Sequence, residues 1–268
     1  MVQSAIQTGR WRHVVRYLGL AYGLAAFVMA LGIWAYWAVF LGNLPPRSIP
    51  WIEPSVSVGP ALATFPALFI DFGLLLLFGL QHSLMARSGV KDWITRFVAP
   101  DLERSTYVLA ANLTLILLLV FWQPIPFVLW DAGDGIAEDI VWSIFVLGWV
   151  VLILSLAAID SAELLGLRQA WAWFQNRPHE SLPLKTRWLY SQIRHPLYLG
   201  VIIVVWAAPF MTVGHLLFAV GFTTYIIIGT YFEERDLLRS GGESYRAYQR
   251  AVPAFVPTFW KRPPKSVT

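Results

Sequence analysis

The chain has 268 residues, of which 57% are hydrophobic and only 13% charged, with 14 tryptophans and a formal charge of +4. A soluble domain carries about 25% charged residues, so this composition excludes an ordinary soluble enzyme and points to lipid. The absence of cysteine excludes disulfides, thiolate metal sites and a cysteine nucleophile, and the basic residues form no single patch that would mark a nucleic-acid partner.

Six apolar stretches follow one another, at about 14–41, 61–80, 106–129, 140–159, 197–210 and 215–232. The first follows a basic start, as a signal peptide would, but its apolar run is too long and lacks a convincing cleavage site. It reads as a membrane helix. The first four stretches reach the roughly 20 residues needed to cross a hydrocarbon core. The last two are short or broken, separated by "PFMTVGH", and read as a helical hairpin, with one re-entrant unit as the alternative. The expected fold is all-α: a polytopic membrane helix bundle of five to six transmembrane helices, the last two forming the hairpin. With no internal repeat and no Gly/Ser linker, residues 1–268 read as one domain.

The charges then set an orientation. The N-terminus holds three arginines (Arg10, Arg12, Arg16), four basic residues lie between 81 and 105, five between 160 and 196, and seven beyond 233. Nineteen of the 20 Lys and Arg thus fall on one side, and Arg47 alone on the other. The loop at 130–139 carries Asp131, Asp134 and Glu138 instead. By the positive-inside rule both termini and the two long polar loops face the cytoplasm.

Two clusters fall on that face. In "RHPLYLG", Pro196 can open a helix at no hydrogen-bonding cost. Arg194 and His195 then sit by the free N–H groups of a helix N-terminus, a seat for a carboxylate or phosphate. Tyr198 shares a helical face with His195, and Gly200 leaves room for a ligand or a neighbouring helix. An interfacial anchor is the alternative, since Tyr, His and Arg are common at that depth. The second cluster, "YFEERDLLRSGGESYRAYQRAVPAFVP", places Glu233 and Glu234 at the end of the last span, before an amphipathic helix holding Tyr245 and Tyr248. The hairpin returns the glutamates toward His195 and Tyr198, building a cytosolic pocket over about 185–258. An anion seat, an aromatic face and carboxylates suit an adenosyl zwitterion better than a polyphosphate, which would call for Gly-rich loops and more lysine.

"RHPLYLG" followed by "EERDLLRSGGESYRAYQRAVPAFVP" resembles the C-terminal signature of the isoprenylcysteine carboxyl methyltransferase superfamily, over about the last 80 residues. That resemblance implies S-adenosyl-L-methionine as cofactor, with contacts at His195, Tyr198, Leu199, Gly200, Glu233 and Glu234, and weaker candidates at Tyr245 and Arg246. "DFGLLLLFGLQHSLMAR", "ERSTYVL", "ELLGLRQAW" and "PFMTVGHLLFA" resemble one branch, the bacterial methanethiol S-methyltransferases, over most of the chain beyond about residue 65. It implies methylation of a small volatile thiol to dimethyl sulfide in a bilayer, here a bacterial cytoplasmic membrane. One departure stands out: where that branch leads one to expect an Asn-His stretch, the chain reads "AAIDSAELLGLRQ", with Asp160 and Glu163.

The transfer needs a proton acceptor or a positive charge near sulfur, because the thiolate is the nucleophile. His82 is the first candidate, since imidazole titrates near neutral pH. Asp71 is the second, because an ionisable group in mid-span is functional by default; its alternative is a hydrogen bond to a neighbouring helix. The two are 11 residues apart on nearly one helical face, about 16 Å along the axis. Arg194, or Arg168, is the candidate for stabilising the thiolate. Asp160 and Arg168 are expected to pair, and His215 to be a structural turn residue. Five scattered histidines offer no metal ligand cluster, so no metal is expected, and the oligomeric state is left open. A lipidic-acid carboxyl methyltransferase, a membrane enone or sterol reductase and a non-enzymatic membrane component are the competing readings.

Reporter fusions after residues 90 and 180 and at the C-terminus should report the cytoplasm, and one near residue 134 the opposite side. A cytoplasmic signal at 134 would overturn the orientation.

Overall fold

The computed structural model describes residues 9–44, 55–59, 62–180 and 188–257. Arg47, Lys185, Arg187, Lys261, Arg262 and Lys265, which enter the charge asymmetry, lie outside the described residues. The chain is an all-α, multi-pass membrane protein. Its order is α1 (Gly9–Leu41), α2 (Thr64–Met85), the short α3 (Ser88–Ile94), α4 (Glu103–Phe121) after a 3-10 turn at Pro100–Leu102, α5 (Ile136–Ile159), α6 (Ser161–Leu164), α7 (Leu167–Gln175), α8 (Pro196–Trp206) and α9 (Val213–Ala251). Two short strands, β1 (Val128–Asp131) and β2 (Phe210–Thr212), pair antiparallel.

Three elements differ from their expected extents. The stretch at 106–129 is helical only to Phe121, because Pro124 and Pro126 cannot continue the ladder, and the chain leaves it into β1. The 11 residues of α8 rise about 16 Å, half of a hydrocarbon core of about 30 Å. Among the described residues, five helices are long and apolar enough to cross a membrane, and α8 is a shorter apolar helix. Finally, α9 joins the last apolar stretch to the expected amphipathic helix in 39 residues, interrupted at Gly242 with φ 56° and ψ −133°. That backbone conformation is one a Cβ obstructs and glycine reaches freely. Beyond it, Tyr245, Tyr248 and Val252 pack with Leu237, Leu238 and Ala251.

The chain divides into two compact units, each assembled from discontinuous segments: Met1–Trp37, Leu76–Leu118 and Asp160–Pro183, and Ala38–Leu75, Leu119–Ile159 and Leu184–Thr268. The first has a core of Ala26, Ala30, Tyr107, Val108 and Leu165. Two polar pairs join its helices: the Asn112 amide donates to the Ala26 carbonyl at 3.0 Å, and the Thr114 hydroxyl to Gln81 Oε1 at 3.0 Å. Glycine sets its closest approach, since a Cβ on Gly23 would lie 2.3 Å from the Ala170 Cβ.

In the second unit α8 lies against α5. A Cβ on Gly200 would sit 2.9 Å from the backbone nitrogen of Leu152 and 3.0 Å from the carbonyl oxygen of Gly148, so the space beside Gly200 belongs to a neighbouring helix. The aromatic core gathers Trp122, edge-on, Phe40, tilted, and Phe222, stacked, around Phe218. The hairpin of α8 and α9 is pinned along its length. His215 Nε2 lies 3.0 Å from the Val205 carbonyl, and Trp206 Nε1 donates to the Thr223 hydroxyl at 2.9 Å. The Thr212 hydroxyl caps α9 by accepting from the His215 N–H at 3.2 Å. His215 thus lies buried in the first turn of α9.

Candidate active site

At the end of this hairpin away from His215, the second unit gathers Tyr190, Arg194, His195, Tyr198, Glu233, Glu234 and Gln249. The N-terminus of α8 is fixed first. Pro196 opens the helix, and the Leu199 N–H donates to the His195 carbonyl at 3.0 Å as the first rung. The preceding two residues are held by the segment after α9: the Arg194 N–H donates to the Pro253 carbonyl at 2.9 Å and the His195 N–H to the Ala254 carbonyl at 3.0 Å.

Glu234 closes the arrangement. Its Oε1 accepts from Arg194 Nε at 2.7 Å and lies 3.0 Å from His195 Nε2, and its Oε2 accepts from the Gln249 amide at 2.8 Å. Arg194 also donates through Nη1 to the carbonyls of Gln249, at 3.1 Å, and Val252. With only 9% of the Arg194 side chain and 16% of the Glu234 side chain exposed, this is a largely shielded, multiply bonded ion pair. Charge-assisted bonds of this kind are short and about twice as strong as neutral ones. The donors of Arg194 are spent within the clamp, which supports a positioning role in place of the expected contact with a thiolate.

Glu233 is placed differently. Its side chain is 43% exposed, and its Oε2 accepts from the Tyr198 hydroxyl at 2.8 Å. The His195 and Tyr198 rings stack with centroids 5.5 Å apart and an interplanar angle of 11°, and Phe255 lies 5.9 Å from the imidazole. Tyr190, in a 3-10 turn at Trp188–Ser191, is buried, and its carbonyl accepts from the Tyr248 hydroxyl at 2.6 Å. Burial, then the Glu233 charge and the Tyr248 ring, push the Tyr190 phenol above its usual range, so it stays protonated.

Of the three candidate catalytic residues, Arg194 and Asp71 belong to the second unit and His82 to the first. Asp71 is fully buried, and its Oδ1 accepts from the Gln123 N–H at 2.8 Å, just past the end of α4. The His82 ring lies 5.0 Å from Tyr107 and 5.4 Å from Phe78. Also in the first unit, Asp160 caps α6 by accepting from the Glu163 N–H at 3.2 Å and pairs with Arg168 at 2.8 Å. Glu163 meets His179 Nε2 at 2.9 Å and the Gln169 amide at 3.2 Å. Among the described residues no group of three or more His, Cys, Asp or Glu is placed to hold a metal ion.

Sequence reasoning missed Gln249, Tyr190, Phe255 and the backbone of Pro253 and Ala254. The "VPAFVP" motif contained the last three, but only as a pattern with no partner.

Among curated proteins, the chain is 40% identical to the methanethiol S-methyltransferase of Mycobacterium tuberculosis, over 90% of this chain and 97% of that protein. It is 39% identical to the methanethiol S-methyltransferase of a Pseudomonas species, over 89% and 90% of the two chains. It is 33% identical to Nurim of Sus scrofa, over 80% and 87%. No family model matches the chain, and no solved structure matches it.

The two glutamates should separate in a stability measurement. Glu234→Ala leaves a buried guanidinium without its partner and should cost about 3 kcal/mol, read as a lowered unfolding midpoint in detergent. Glu233→Ala removes a half-exposed carboxylate and should cost under about 1 kcal/mol. Equal midpoints for the two variants would mean that the clamp carries no stability.

Proposed function

The chain belongs to the methanethiol S-methyltransferase family, and from that premise we propose that it transfers a methyl group from S-adenosyl-L-methionine to methanethiol, forming dimethyl sulfide. A methyltransferase requires a methyl donor. The observation that carries the choice of donor is the division between Glu234, consumed in the clamp, and Glu233, half-exposed beside the stacked His195 and Tyr198. This set offers a carboxylate for ribose hydroxyls or an ammonium group, a flat aromatic face, and no Gly-rich loop or lysines for a polyphosphate. The residues present fit an adenosyl amino acid.

When bound, that cofactor supplies a methyl group on a positively charged sulfur. The chain's own part is to hold and orient. Glu233, Tyr198 and His195 form the binding face, with Leu199 in the first turn of α8 behind them. Arg194, Glu234 and Gln249 fix the α8 N-terminus, and Gly200 sets its depth against α5. Orientation of this kind supplies a large share of the acceleration in bimolecular transfers. His82 is the proposed acceptor of the thiol proton, assigned by its chemistry. Asp71 is read as the residue that satisfies the Gln123 backbone. We place the protein in a bacterial cytoplasmic membrane with both termini in the cytoplasm, on the strength of the charge asymmetry. The whole chain is taken as one methyltransferase domain with its cofactor part at about 185–258.

Calorimetry on the full-length protein in detergent should show binding of adenosylhomocysteine and none of NADPH, and cells expressing it should release dimethyl sulfide from methanethiol, measured by headspace gas chromatography. Binding of NADPH alone would replace the methyltransferase reading with a reductase.

The acceptor is tested separately across pH 6 to 9. His82→Ala should lower turnover at neutral pH by about 100- to 10,000-fold with little change in adenosylhomocysteine affinity. Its activity should recover in part as pH rises and more of the substrate arrives as thiolate. Asp71→Asn keeps an oxygen for the Gln123 N–H and should keep most of the activity. Near-wild-type turnover by His82→Ala at pH 7 would remove His82 from the mechanism.

A further inference from the structure

Tyr190 is the buried group that the reading above leaves without a task. Its residue is 8% exposed, and its hydroxyl is buried with no hydrogen-bond partner among the described residues. A buried hydroxyl left unbonded is unfavourable, so each such case in a native protein asks for an explanation. The chain goes to some length to place it. Trp188, two residues earlier, adopts φ +56°, a left-handed conformation that bulky residues avoid and that clusters at functional sites. The Tyr248 hydroxyl holds the Tyr190 carbonyl at 2.6 Å, so the ring is fixed at its backbone while its polar tip stays uncommitted. Four residues on, Arg194 and His195 enter the clamp. Burial keeps that phenol a neutral donor, and the Glu233 charge adds to the effect.

An O–H donor at Tyr190 and the half-exposed carboxylate of Glu233 together offer what an α-amino acid group needs, since it carries a carboxylate and an ammonium on a single carbon. We propose that the Tyr190 hydroxyl is a binding contact for the methyl donor, donating a hydrogen bond to its amino-acid carboxylate while Glu233 faces its ammonium. This rests on the proposed use of S-adenosyl-L-methionine and adds the residue that recognises its amino-acid end. Tyr190 would thereby distinguish the whole cofactor from adenosyl thioethers that lack that end. The ligand completes a hydrogen bond that the protein leaves open.

The test uses full-length wild-type protein and Tyr190→Phe in detergent, with two ligands: adenosylhomocysteine, and methylthioadenosine, which has no amino-acid group. Wild-type protein that binds neither ligand would overturn the cofactor assignment itself. Where wild type binds adenosylhomocysteine, Tyr190→Phe should weaken it by about 10- to 100-fold, the range for a hydrogen bond to a charged group, and leave methylthioadenosine affinity unchanged. Without ligand the variant should unfold at the wild-type temperature or above it, because it loses a hydroxyl that has no partner. Unchanged adenosylhomocysteine affinity, an equal loss for both ligands, or a lowered ligand-free unfolding temperature would each overturn the role given to Tyr190.

Discussion

One carboxylate, that of Glu234, holds three separate segments of chain. Arg194 and His195 come from the start of α8, Glu234 from the middle of α9, and Gln249 from the far arm of α9. The geometry is possible only because of Gly242. Fifteen residues of uninterrupted helix would separate Glu234 from Gln249 by about 22 Å, yet the Gln249 amide lies 2.8 Å from Glu234 Oε2. The backbone must therefore fold back at Gly242, whose φ of 56° and ψ of −133° suit a residue without a side chain. Once folded back, the far arm delivers the carbonyls of Gln249 and Val252 to Arg194, and the next residues run on to the backbone of Arg194 and His195. A buried guanidinium needs all of these acceptors, since a charge left partly unpaired away from water is costly.

Much of this was legible in the sequence. Long apolar runs interrupted by charged loops specify membrane helices with little ambiguity, because lipid leaves the backbone no other way to satisfy itself. The proximity of His195 and Tyr198 to the glutamate pair followed from the hairpin alone. What could not be read was how the two glutamates divide. Adjacent residues on a helix point about 100° apart, and which of them is buried depends on Gly242, whose effect is tertiary. The role of Arg194 was hidden for the same reason: its partners lie 40 to 58 residues away in sequence. Pro124 and Pro126 sit inside an apolar run, so composition alone extends α4 beyond its end at Phe121.

Those prolines also account for Asp71. An N–H freed where a helix breaks inside a membrane must find an acceptor, and Asp71 supplies one to Gln123. An ionisable residue in a span invites a functional reading. Here the break in α4 gives its Oδ1 a structural task. The Asp160–Glu163 stretch is accounted for in the same way, through the α6 cap, the pair with Arg168 and the contact with His179. Where the methanethiol S-methyltransferase branch leads one to expect an Asn-His pair, this chain has residues with local structural work of their own.

The separation of the glutamates also has an electrostatic consequence for the proposed reaction. Arg194 and Glu234 neutralise one another inside the clamp, so the pair adds little net field at the binding face. The carboxylate of Glu233, half-exposed, is then the charge that a ligand meets. A sulfonium cofactor carries a net positive charge that disappears when its methyl group leaves. A lone carboxylate on the binding face therefore attracts the cofactor more strongly than the spent product, by an amount that grows as water is excluded and the local dielectric falls. Had both glutamates faced the ligand, the second would have strengthened binding but left Arg194 unpaired. Had neither, the product would be held as firmly as the cofactor. In the proposed reaction, one part-buried and one exposed carboxylate would combine a rigid site with exchange of product for fresh cofactor.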